Sequence, residues 1–197
     1  MKTKKLQQLA GAILAFALLL AGCSEQPKTD HLGNPWQESW QDVGGTLGVE
    51  APEELTFLEV NDSLALSGIS YASWYAGEKT QYENSEGVSG DLYDVQVYLL
   101  LQNCSNAENA AETMEKWRTM ESNYYSMTET EAYAGFQCCS LVPLDESPYG
   151  AGYLALLTFD RYALSVELMV RDGFAPETPS EELFADFLSG IHFRETQ

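Results

Sequence analysis

From Tyr93 to Gln102 side chains alternate with a period of two: Val95, Val97, Leu99 and Leu101 fall on one side, Gln96, Tyr98, Leu100 and Gln102 on the other. Successive residues of a strand point to opposite faces, so this stretch predicts a strand with one face buried. Shorter runs rich in β-branched and aromatic residues predict five more strands, at Leu55–Val60, Leu66–Ala76, Tyr133–Val142, Tyr153–Phe159 and Ala163–Arg171. Within Leu66–Ala76, Ile69, Tyr71 and Tyr75 share one face, and Ala72, Trp74 and Ala76 the other. Only Asp160-Arg161 separates the last two strands, which fits an antiparallel hairpin and nothing longer.

The period changes at two places. Ala107, Ala110, Ala111, Met114 and Trp117 recur at spacings of three and four, predicting an amphipathic helix to about Asn123 that starts at the capping box Ser105-Asn106-Ala107-Glu108. Trp74 is expected to lie under this helix. Near the C-terminus Thr178-Pro179-Ser180-Glu181 supplies an N-cap, a proline at the first helical position and a capping glutamate. Leu183, Phe184, Phe187, Leu188 and Ile191 form that helix's buried stripe, and Gly190 ends it. Ser39 and Asp42 have capping-box spacing for a short helix that Gly44 and Gly45 cut off. Helices do not alternate regularly with strands. The expected class is therefore α+β: a mostly antiparallel sheet of about six strands with two main helices packed on one face.

The N-terminus is of a different kind. Lys2, Lys4 and Lys5 precede the apolar run from Leu9 to Ala21, and Cys23 follows Leu20-Ala21-Gly22. Thirteen residues of helix reach about 20 Å, short of the ~30 Å hydrocarbon core of a bilayer. The segment has the organisation of a secretory signal peptide. Leu20-Ala21-Gly22-Cys23 resembles the lipobox of bacterial lipoproteins. That resemblance implies cleavage before Cys23, a diacylglycerol on its sulfur, and anchoring outside the cytoplasm. Two or more acyl chains hold durably where one does not. The expected organisation is a signal peptide at 1–22, a lipidated N-terminus and flexible tether at 23–38, and a single globular domain at 39–197.

Charge narrows the partners. The chain carries 10 Lys and Arg against 30 Asp and Glu, a net charge of −20, and removal of residues 1–22 takes three lysines and no acid, leaving −23. Nucleic acid is excluded, since no basic stripe opposes phosphate repulsion. With 45% hydrophobic and only 20% charged residues, the acidity reflects missing Lys and Arg, and the chain folds.

Candidate chemistry is sparse. Gly150-Ala151-Gly152-Tyr153-Leu154-Ala155 matches a dinucleotide fingerprint in letters, but it enters a strand and no helix start follows it. His31 and His192 are the two histidines, and Cys138-Cys139 would point to opposite strand faces, so neither a metal nor a cofactor is implied. The pairs Glu53-Glu54, Asp145-Glu146 and Glu181-Glu182 read as solvated surface. Cys104 has room to pair with Cys138 or with Cys139, and three buried thiols are the other reading. Cys138 or Cys139 acting with His192 would make a thiol-dependent cell-envelope hydrolase, although both cysteines lie in a β pattern with no orienting residue. Tyr71 and Tyr75, on one strand face, are the candidate ligand patch.

Asn34-Pro35-Trp36, a segment ending Gly48-Val49 before Pro52, and the closing Phe184–Ile191 helix resemble uncharacterised Gram-positive lipoproteins. The closing helix after an antiparallel sheet also resembles PsbP-like domains. The resemblance implies a non-enzymatic domain. The functional expectation is a non-catalytic binding or accessory module of the cell envelope with an envelope protein, peptide or glycan as partner.

Overall fold

The computed structural model describes residues 28–62, 68–83, 87 and 89–194. The leader, Cys23 and the start of the strand expected from Leu66 lie outside the described residues. Residues 37–194 form one unit and residues up to 36 belong to another. In the latter, the Asp30 carboxylate accepts hydrogen bonds from the Leu32 and Asn34 amides and the Asn34 side chain, closing a turn of the kind Asp favours.

The larger unit runs β1 (Gln41–Val43), β2 (Leu47–Val49), β3 (Thr56–Asp62), β4 (Ile69–Glu83), β5 (Ser89–Asn103), α1 (Ala107–Glu121), β6 (Tyr125–Glu129), β7 (Gln137–Pro143), β8 (Tyr149–Phe159), β9 (Tyr162–Arg171), α2 (Ser180–Ser189) and β10 (Ile191–Phe193). Strands β3-β4-β5-β9-β8-β7-β6 form a seven-stranded sheet and β1-β2-β10 a three-stranded one. Every strand pair is antiparallel. The fold is thus a mostly antiparallel α+β arrangement with two helices, but the strand count of about six is corrected to seven plus three.

The four additional strands have identifiable causes. Gly44 and Gly45 both take positive φ (64° and 65°), and Thr46 N donates to Val43 O at 3.2 Å. Two glycines in that conformation make a hairpin turn whose twist suits the flanking strands. The expected short helix after Ser39 is therefore the β1–β2 hairpin. Ile191, assigned by periodicity to the closing helix, instead begins β10 and pairs with Val49. β6 is an edge strand of five residues that pairs with β7; Tyr125 and Met127 face the cluster under α1 while Ser126 and Thr128 are exposed, an alternation too short to stand out in the sequence.

The helices lie on opposite faces of the large sheet, which corrects the expectation of a shared face. On β9, Leu164, Val166 and Leu168 join a core with Leu183, Phe184 and Phe187 of α2. The interleaved Ala163 packs with Ala110 of α1, and Met169 packs with Met114 of α1. Alternate residues of one strand face opposite ways, so α1 and α2 sandwich the sheet. Trp74 packs edge-on against Phe187 at 5.0 Å, and so lies under α2 and not under α1. The small sheet joins the α2 side through Val43, Leu47, Val49, Ile191 and Phe193.

Helix starts shift by about one residue from the expected caps. Asn106, extended at φ −161°, caps α1 by accepting from Asn109 N at 2.8 Å. Pro179 takes the N-cap place of α2 with no side-chain bond, and Gly190 ends that helix. Gly150 and Gly152 both lie inside β8, where a Cβ on Gly152 would sit 2.7 Å from Leu168 O and 2.5 Å from Met169 Sδ. The fingerprint's glycines there serve close strand packing. Asp160, at φ 52°, turns β8 into β9 as the short connection required. Among the described residues no helix is long and apolar enough to cross a membrane.

Candidate functional site

The sheet face that carries α1 is built in cross-strand rows. One row crosses all seven strands: Glu59, Ser73, Tyr98, Glu167, Leu154, Cys139 and Glu129 are successive register partners. The row on one side of it includes Asn61, Tyr71 and Leu100, and the row on the other includes Thr56, Tyr75 and Gln96. Met114 of α1 covers Leu141, Leu154, Leu156 and Met169, and Trp117 packs there too, so the part of β7–β9 beneath the helix is apolar and covered. The β3–β5 half carries tyrosines instead.

Tyr71 and Tyr75 do share a face, as their spacing requires, and both are half-buried. They flank Ser73, which is 1% exposed and whose hydroxyl has no hydrogen-bond partner. Directly opposite Ser73 stands Tyr98, still 40% exposed. Tyr75 meets Tyr93 with ring centroids 4.4 Å apart. Tyr98 does not stand out in the sequence, because its own strand gives no reason to prefer it. Only the β4–β5 register sets it between the other two tyrosines.

Carboxylates border this group. Glu59 and Glu167 stand at either end of the Ser73–Tyr98 pair, about 14 Å apart by strand spacing. Glu167 is partly buried, makes no hydrogen bond or ion pair with a described residue, and is pushed up to about 7 by burial first and by Glu121 second. Tyr98 is raised by burial and then by the Glu167 charge. Tyr125 is raised to about 12 by burial, with Glu167 and Glu121 adding to it. Tyr149, also raised chiefly by burial, donates its hydroxyl to Gln96 Oε1 at 2.6 Å. Beside Glu167 opens a cavity of about 430 Å³ walled by Glu121, Tyr124, Tyr125, Asp145 and Glu146. This region has faces of aromatic rings and unpaired negative charge. It suits cations and hydrogen-bond donors, and it repels anions.

The other candidates separate in space. Cys138 packs in the α2 core, while Cys139 faces the α1 side beside Arg118. Burial pushes both thiols up, opposite to what a thiolate nucleophile needs. All three cysteines of the described chain are free and buried, and Cys104 contacts Thr113 Oγ1 at 3.6 Å beneath α1. Neither pairing of Cys104 is made. His192 stacks on Trp40 at 4.0 Å and lines a groove with Glu50, Glu53, Glu54 and Asp186, whereas Cys138 and Cys139 line a different cavity. The structure does not bring a Cys–His pair together. Among the described residues no group of three or more His, Cys, Asp or Glu is placed to hold a metal ion.

No family model matches the chain, and no curated protein does. A crystal structure from Bacteroides thetaiotaomicron VPI-5482 is similar over 78% of this chain and 47% of that one, at 13% identity and a TM-score of 0.45. This chain thus spans about half the length of that protein.

Proposed function

We propose that the chain is a lipid-anchored, extracytoplasmic binding module of the cell envelope, without catalysis of its own, that docks a basic protein segment on the tyrosine face of its large sheet. The observation that carries the reading is the Glu59–Ser73–Tyr98–Glu167 row, with Tyr71 and Tyr75 on either side of Ser73. A Lys or Arg head over a tyrosine ring gains about 0.5–2 kcal/mol, and two carboxylates at the ends of the row add charge attraction. A net charge of −20 favours the same partner by steering.

The test is titration of a labelled octalysine peptide into the mature protein at physiological salt, read by fluorescence anisotropy. Tyr98→Ala should weaken binding at least fivefold, and wild-type binding should tighten from pH 6 to pH 8 as Glu167 gains its charge. An affinity of Tyr98→Ala equal to that of wild type at both pH values would leave only diffuse charge attraction and overturn the docking face.

The anchor has its own check. Cys23→Ser should move the protein from the membrane fraction to the soluble fraction after cell breakage. Retention of the variant in the membrane fraction would remove lipid from the account.

A further inference from the structure

On the opposite face of the sheet, a pocket of about 320 Å³ opens between α2 and the β6–β7 connection. Its walls are apolar and aromatic. Tyr153 of β8 and Phe184 of α2 stack with centroids 5.6 Å apart, and Tyr133 and Leu188 complete the lining. The connection that carries Tyr133 is pinned in place: Phe136 N donates to Tyr133 O at 2.8 Å and Tyr133 N to Phe136 O at 3.3 Å, with Ala134 and Gly135 at positive φ. The wall is therefore preformed, as binding pockets usually are.

The charges around the pocket have one sign. Glu131 and Glu181 are the ionisable carboxylates that line it, both exposed, and no Lys, Arg or His lines it. An aromatic slot with carboxylates and no cation selects a ligand with an apolar ring at one end and an ammonium at the other. It discriminates against the same ring bearing a carboxylate, because like charges brought together at the rim repel. The volume lies at the small end of the range for ligand pockets, which fits one indole or phenyl ring and a short chain.

We infer that this pocket is a binding site for small arylalkyl amines. It is distinct from the tyrosine face and stands whether or not a basic partner docks there. Ala185 of α2 lines the pocket and is half-buried, so a larger side chain at that position fills the space without entering the core.

The probes are tryptamine and indole-3-propionate, which share a ring and differ in charge, titrated into the mature protein by isothermal calorimetry. Wild type should bind tryptamine at least tenfold more tightly than indole-3-propionate. Ala185→Trp should abolish tryptamine binding while leaving octalysine binding unchanged. The double variant Glu131→Gln, Glu181→Gln alters only exposed side chains, and it should shrink the preference for the amine to less than threefold. That result decides the matter even where Ala185→Trp folds poorly. Absence of tryptamine binding at millimolar concentration, or a preference untouched in the double variant, would overturn the assignment.

Discussion

Phe187→Asp is expected to abolish cooperative folding of residues 37–194 at 37 °C. Phe187 is 0% exposed, and its ring meets Trp74 at 5.0 Å in the core that joins α2, the small sheet and the large sheet. Truncating a buried aromatic costs about 3–5 kcal/mol. An unpaired carboxylate in the same place adds several kcal/mol more, or forces its own protonation. The sum is comparable with the whole stability of a typical domain, about 5–15 kcal/mol. Thermal melting followed by circular dichroism checks this. Phe187→Leu should still melt cooperatively, at a lower temperature. An unchanged melt for the Asp variant would take α2 out of the core.

Glu167→Gln is expected to stabilise the domain at pH 8 and to flatten its stability between pH 5 and 7. The folded carboxyl titrates at about 7 against an ordinary value of 4.5. Between those values the native state holds a proton that the unfolded state has lost, so stability falls as pH rises through that window. Below about pH 4.5 the group is protonated in both states and that stability is fully present. Above about pH 7 the native state bears a partly buried charge, at a cost of about 3 kcal/mol. Glutamine keeps the shape and removes the charge. Its neighbours are Glu121, itself raised by burial, and the hydroxyls of Tyr98, Tyr125 and Tyr149, none of them cationic. Urea melts at pH 5, 6, 7 and 8 measure the effect. A variant with the wild-type slope would place the titration elsewhere. The carboxylate thus costs stability where the binding face would use it, a common exchange at functional sites.

How much was legible varies by element. Val95 to Leu101 read cleanly as a strand because burial on one face imposes alternation over many residues. The Ala110–Met114 stripe read as a helix for the same reason at the longer period. The three-residue strands β1, β2 and β10 are too short to show a period, and they exist because they pair with one another. The Gly44-Gly45 pair is a hairpin signal that competes along the sequence with the capping-box spacing of Ser39 and Asp42, and pairing of β1 with β2 resolves it. Tyr71 and Tyr75 were visible as a same-face pair, while Tyr98, Glu167 and the Tyr153–Phe184 pocket required strands far apart in sequence to be set side by side.

By itself, the sequence determined the local periods, the α+β class and the acidity, because each follows from side chains near one another along the chain. Only the tertiary structure decided that α1 and α2 take opposite faces and that the carboxylate of Glu167 stands beside Tyr98. Those facts depend on strand order and register, and these are set by the burial of the whole sheet and not by any one segment.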